Sequence, residues 1–282
     1  MFPTPIQKKS RTAQTAYQAL LPIALLFWLM PLLAVAIFSV KPDADFVTGN
    51  YWGMPSSFEG WHNYGRVFFE SDMPRYLLNS VLITVPTVIG AVALSCMTGF
   101  ALGVYKFRAN LWVFFLFVAG NFVPFQILMV PVRDLTVDMG LYNTKTELVL
   151  FHIAFQTGFC TLFMRNFIRA LPFELIEAAR VEGVSEIRIF WYVVLPLMKP
   201  AIAALSVLIF TFIWNDYFWA VVLTQGTDSQ PVTAGITSFN AQYRAAYHLM
   251  SAGSIVAALP PVAMFFLMQK HFVAGLTLGA VK

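Results

Sequence analysis

The chain has 282 residues, of which 59% are hydrophobic and only 11% charged, and its mean hydropathy is +0.70. A soluble domain carries about a quarter charged residues, so this composition excludes an ordinary soluble enzyme or binding module. The net charge of +4 would suit a nucleic-acid binder only if its basic residues formed a patch on a soluble surface, so no nucleic acid is expected as a partner.

A membrane span needs about 20 mostly apolar residues to cross about 30 Å of hydrocarbon. Six stretches meet that requirement, at about Ala19–Val40, Leu77–Val104, Leu111–Val132, Leu148–Phe167, Ile202–Leu223 and Leu249–Met268. The first follows Lys8, Lys9 and Arg11 and contains Ala34-Val35-Ala36, which resembles a signal-peptide cleavage site. Its apolar run continues to Val40, beyond the about 7–15 residues of a signal h-region, so it reads as a retained helix. The connection Lys41–Arg75, with Trp52, Trp61 and Tyr64, is long enough for a small amphipathic cap, whereas Tyr105–Asn110 is a tight turn. Gly90, Gly99 and Gly103 allow close helix packing, and Pro86, Pro124, Pro131, Pro260 and Pro261 are expected to kink their spans. Cys96 and Cys160 lie in apolar stretches with no Cys or His at ligand spacing, so both read as buried thiols and no metal site is indicated. Arg133–Glu147 is short and polar. Thr224–His248, with Gly226, Asp228, Pro231, Gly235 and Gln242, is expected to reach toward a partner.

The basic residues orient the spans. With the N-terminus in the cytoplasm, twelve of the eighteen Lys and Arg fall inside: Lys8, Lys9, Arg11, Lys106, Arg108, Arg165, Arg169, Arg180, Arg188, Lys199, Lys270 and Lys282. Ten of the fourteen acids then fall outside. The reading is an all-α membrane protein of six transmembrane helices with both termini cytoplasmic. Residues 1–18 form the N-terminal segment, 19–269 the membrane domain and 270–282 the tail. The segment 168–201, between spans four and five, is the one large cytoplasmic element.

That segment reads as two short helices. Pro172 suits a first helical turn, and Glu174 and Glu177 sit where the helix dipole favours anions. Leu175, Ala178, Ala179 and Glu182 follow helical spacing, so one face is small and apolar, and Gly183 ends the helix as a C′ glycine does. Ser185 caps the second helix, with Arg188 early in it and Phe190, Val193 and Val194 turned toward the membrane. Leu195-Pro196 and Lys199-Pro200 stop it before span five. Arg180, Glu186 and Arg188 are either solvated or functional.

Glu177-Ala178-Ala179, Gly183 and Leu195-Pro196 together resemble the EAA loop of ABC importer permeases in residue type and spacing. Asn79-Ser80, Pro124 through Pro131, Trp214-Asn215-Asp216 and the ending from Phe272 to Lys282 resemble the carbohydrate-uptake branch, and the chain looks like the shorter six-span subunit of a maltose-transporter-type heterodimer. One departure is Glu182, where the family has Asp. The resemblance implies two cytoplasmic ABC ATPase subunits that bind ATP and Mg, a second permease subunit, an extracytoplasmic solute-binding protein and a bacterial inner-membrane location. It implies no cofactor bound by this chain. It also implies that Glu174, Glu177, Ala178, Ala179, Arg180, Gly183, Leu195 and Pro196 couple to the ATPase, with Glu177 pairing to a basic residue there. The tail after Lys270 reaches the ATPase interface on this view.

Inside the spans, His152, Gln156 and Thr157 share one side of span four and could line a polar cavity, with Phe155 or Phe159 stacking on a sugar ring. Asn215 and Asp216 lie within span five. Asp216 is either a polar group on the solute path or a hydrogen-bonded packing contact, since an intramembrane acid needs one or the other. No GxxxxGK[ST] phosphate loop and no HExxH metal motif occurs, so no catalytic residue is expected. An ion-coupled carrier would leave the cytoplasmic loop unexplained. A phosphorylated polyol such as glycerol phosphate is the alternative solute and would need an Arg-rich pocket.

Overall fold

The computed structural model describes residues 10–241 and 244–280, with side chains of the long helix given to Gln269. Lys8, Lys9, Gln242 and the contacts expected of the 270–282 tail lie outside what is described. Two compact units are present, one of residues up to Ser71 with Phe239–Val256, the other of Asp72–Ser238 with the chain from Ala257 onward.

In the first unit α1 (Arg11–Val40) is followed by α2 (Asp43–Val47) and α3 (Gly60–Phe69). The connection is held by a buried lysine. Lys41 is fully covered; its Nζ donates to the carbonyls of Asn50 (2.7 Å) and Tyr51 (3.1 Å) beside the rings of Phe38 and Phe46. Asn63 of α3 donates to the carbonyls of Ser39 (3.0 Å) and Lys41 (2.9 Å), satisfying the freed end of α1. The expected amphipathic cap is thus α2 and α3. A two-residue antiparallel pair, β1 (Asn240–Ala241) with β2 (Arg244–Ala245), precedes α14 (Tyr247–Ala280).

The second unit is built on α4 (Met73–Val104) and α7 (Lys145–Ile168). Glycines let their backbones meet: a Cβ on Gly99 would lie 2.8 Å from Met164 Cβ and 3.0 Å from the Arg165 nitrogen. Thr98 and Thr161 hydroxyls hydrogen-bond across the contact at 2.7 Å. Both cysteines are buried and free.

Among the described residues, four helices are long and apolar enough to cross a membrane alone: α1, α4, α7 and α14 over Tyr247–Gln269. The two remaining spans are each broken into two helices. Span three breaks by 86° between α5 (Asn110–Gly120) and the turn at Phe125–Leu128 that leads into α6 (Met129–Asp138). Pro124 disfavours helix at the residue before it, and Asn121 Nδ2 donates to the Phe117 carbonyl (2.9 Å) that the break leaves free. Span five runs as α11 (Lys199–Trp214), stops at Asn215–Tyr217 and resumes as α12 (Phe218–Leu223). Pro86, Pro260 and Pro261 lie within continuous helices, so of the expected kinks only Pro124 stands at a break.

The Thr224–His248 segment does not reach outward over its first half. Asn79 donates to the carbonyls of Thr227 and Gln230 (2.9 Å each), Ser80 accepts from the Val232 N–H (2.8 Å), and Arg75 pairs with Asp228 at 2.6 Å. The short α13 (Val232–Gly235) then sits so close to Tyr76 that a Cβ on Gly235 would overlap its ring at 2.3 Å. That half is tied to α4 through its backbone groups, while the Asp228 side chain stays exposed beside Arg75.

Candidate functional site

Two sites emerge in the second unit. The first is a recess of about 910 Å³ where α7, α11 and α12 meet the break in span three. His152, Phe155, Gln156, Phe159, Asn215 and Asp216 all line it, so residues far apart in sequence converge. Thr157 does not join them; it is buried and donates to the Ile153 carbonyl of its own helix.

Asp216 has a defined structural task. Its carboxylate accepts the Ala220 N–H at 3.1 Å and the Trp219 N–H at 3.5 Å, capping α12, and lies 3.6 Å from His152 Nε2. Asn215 donates to the Thr211 carbonyl at 2.8 Å, so each of the two side chains bonds a helix end. The cap fixes Trp219, whose ring centroid is 4.0 Å from that of Phe151, and Phe151 stacks on Phe155 at 5.7 Å. Asn121, Phe125, Tyr217, Phe218 and Trp219 also line the recess and were missed from sequence. The signal was available: an Asn-Asp pair inside an apolar run is a stop followed by an N-cap.

The second site is the hairpin of α8 (Glu174–Val181) and α9 (Glu186–Ile189), the latter continued by a π turn at Phe190–Val194 and α10 (Leu195–Leu197). Gly183 joins them with φ +74°, and the N–H of Val184 reaches the Ala179 carbonyl at 3.0 Å. Ile176, Ile189, Phe190 and Val194 are buried in the core of the unit, with Ala179 and Leu195 packed against it. The outward face is therefore Glu174, Leu175, Ala178, Val181 and Glu182, with Ile187 exposed on α9; of the expected Leu175-Ala178-Ala179-Glu182 face only Ala179 turns inward. Glu177 is exposed as well. Ser185 stands at the N-cap position without a capping side-chain bond, and Pro172 lies just ahead of α8 rather than in it.

Leu195-Pro196 does not stop the helix. The π turn, in which the Leu195 N–H reaches the Phe190 carbonyl, admits Pro196, and the chain turns by 73° only at Met198, before α11. Pro200 then occupies the first turn of α11, where its missing N–H is not needed.

Arg180 and Glu186 are not merely solvated. Arg180 Nε and Nη2 donate to the two Glu186 oxygens at 2.7 and 3.1 Å, and the Tyr105 hydroxyl donates to Glu186 Oε2 at 2.8 Å. The Arg180 hydrogen bonds hold the Glu186 carboxyl below the ordinary carboxylate value, and the same bonds raise Arg180. Burial, with Glu186 beside it, pushes the Tyr105 hydroxyl up to about 12, so it stays a donor. A depressed carboxylate contributes its stabilisation above the ordinary value and loses it as pH falls through the folded one. Hydrogen-exchange protection over residues 181–189 should thus hold down to that range and fall only below it. Glu186→Gln should lower it at neutral pH, by at most about fivefold, since exposed pairs contribute about 0.2–1 kcal/mol.

The family described as binding-protein-dependent transport system inner membrane component matches residues 11–277. The chain belongs to that family. Among its relatives, the osmoprotective compounds uptake permease protein GgtD of Synechocystis sp. is 33% identical over 275 residues, covering 94% of this chain and 90% of that one. The arabinooligosaccharides transport system permease protein AraQ of Halalkalibacterium halodurans is 32% identical, covering 89% and 90%. The melibiose/raffinose/stachyose import permease protein MelC of Bacillus subtilis is 30% identical, covering 86% and 88%. The fold of this inner-membrane permease is also that of a chain in a crystal structure of a bacterial ABC transporter involved in import of the acidic polysaccharide alginate. The TM-score there is 0.81 at 22% identity, over 95% of this chain and 100% of that one.

Proposed function

We propose that this permease carries a sugar or sugar derivative into the cytoplasm by alternating access, driven by a separate ATPase. The observation that carries the solute class is the lining of the recess. Phe155, Phe159 and Trp219 offer aromatic faces, and Asn121, Gln156, Thr211 and Asn215 offer neutral hydrogen-bonding groups, the combination a hydroxylated ring requires. Among the described residues no Lys or Arg lines it, so a phosphorylated polyol finds neither cation there. The relatives named for arabinooligosaccharides and for melibiose, raffinose and stachyose favour the same class.

On this reading the hairpin faces the cytoplasm, as the distribution of basic residues suggests, and its outward face docks into an ATPase that binds ATP and Mg. Two such ATPase subunits, a second and different permease subunit and an extracytoplasmic solute-binding protein complete the assembly. Residues 1–18 and 270–282 are cytoplasmic and 19–269 form the permease domain, with 168–201 as its coupling loop. The test is ATP hydrolysis by the reconstituted assembly with its binding protein across neutral oligosaccharides, acidic sugars and glycerol phosphate. Stimulation is expected from a neutral sugar; stimulation by glycerol phosphate alone overturns the solute assignment.

A further inference from the structure

We propose that the recess between the end of α4, the start of α5 and the end of α7 binds the phosphate of an anionic phospholipid. It measures about 600 Å³ and is lined by Lys106, Arg108, Arg165 and Arg169, with no Asp or Glu among its lining residues. None of these four cations has a salt bridge among the described residues.

Arg165 decides the nature of the site. It is only 8% exposed, its Nε donates to the Leu102 carbonyl at 3.2 Å, and its guanidinium lies 3.9 Å from the centroid of the Phe114 ring. Neither contact cancels its charge. A buried guanidinium without a counter-charge is costly at the edge of a membrane, and an anion entering the recess relieves that cost. Three further cations at the rim draw the anion in.

The position selects a lipid over a free anion. α4 ends at Val104, α7 ends at Ile168 and α5 begins at Asn110, so the recess lies at headgroup depth for a bundle whose spans cross the bilayer. Running away from it along α5, Leu111, Phe115 and Leu116 are 56%, 51% and 73% exposed, an apolar track on which acyl chains can lie. A soluble anion would use the cations and leave that track idle. Basic pockets between helices on the cytoplasmic side are suited to anionic headgroups for this reason.

The inference rests on the chain crossing a membrane and not on which solute it carries. The assembled transporter, purified in detergent, would be titrated with phosphatidylglycerol, and retained lipid counted by native mass spectrometry. Phosphatidylcholine and inorganic phosphate serve as parallel probes. Phosphatidylglycerol should be retained in preference to phosphatidylcholine, and Arg169→Gln and Lys106→Gln should each weaken its retention about fivefold. Arg165→Gln should weaken it further; because Arg165 is buried, the two exposed positions carry the test if that variant misfolds. Equal retention of the two lipids overturns the proposal, as does unchanged retention in the Lys106→Gln/Arg169→Gln double variant. Displacement by inorganic phosphate would make it a free-anion site and would overturn the lipid assignment.

Discussion

Gly183→Pro should abolish transport while leaving the permease inserted in the membrane. Gly183 sits at φ +74°, and proline is held near −65°, so the turn between α8 and α9 cannot form as it is. The substitution also removes the N–H that reaches the Arg180 carbonyl at 3.0 Å and pushes Glu182 out of its near-helical conformation. Together these cost about 3 kcal/mol or more, borne by a hairpin on the surface and not by the spans. Nothing lies within 4 Å of where a Cβ would stand, so the barrier is conformational and not steric. A graded series follows. Asn, which tolerates left-handed backbone, should transport nearly as the parent; Ala should lose about 1–2 kcal/mol of hairpin stability; Pro should be inactive. Uptake in cells, with membrane content measured by immunoblot and ATPase retention by co-purification, checks the order. Full transport by the Pro variant would remove the hairpin from the coupling mechanism.

Asp216→Ala should lower uptake more than tenfold, and Asp216→Asn should restore most of it. Alanine removes the acceptor for the N–H groups of Trp219 and Ala220 and leaves His152 without its 3.6 Å partner. Loss of an N-cap costs about 0.5–2 kcal/mol, and a freed N–H at membrane depth costs more because no water replaces the acceptor. α12 then frays, Trp219 leaves Phe151, and one wall of the recess is lost. Asparagine keeps a side-chain oxygen at the same place and removes only the charge. Rescue by Asn identifies Asp216 as the residue that shapes the recess. Inactivity of Asn equal to that of Ala would show that the charge itself acts on the solute or on His152.

The spans and the hairpin were legible because they rest on long-range regularities. Apolar length marked the six crossings, and Gly183 with its flanking acids marked a turn between two short helices. What failed to read were events decided by a few residues against the trend around them. Pro124 was an expected kink, but Asn121, which closes α5 ahead of it, sits in an apolar run that hydropathy averages over, and Asn215-Asp216 end one helix and cap the next inside what composition makes a single span. One residue of the α8 face, Ala179, was misplaced for a related reason. Ala178 and Ala179 are adjacent and point about 100° apart, and only the buried Ile176 tells which of them faces the core. The Thr224–His248 segment looked like a partner-seeking loop because its own acceptors, on Thr227, Gln230 and Asp228, are backbone groups and a surface charge whose donors, Asn79 and Arg75, lie in α4, far away in sequence.

The wide turn at Phe190–Val194 sets the rotational phase of the surface that α8 and α9 present. A π turn holds one residue more than an α turn, so a regular helix through the same stretch would swing every upstream residue about 100° around the axis. Pro196 has no N–H to offer the preceding turn, and the widened backbone is how the chain passes it without a break. The direction in which Ile187 points is thereby indexed to a proline on the far side of the turn, much as the setting of a key depends on a single notch in its shaft. Residue count along Glu186–Leu197 is accordingly as much a determinant of the exposed surface as the side chains that form it.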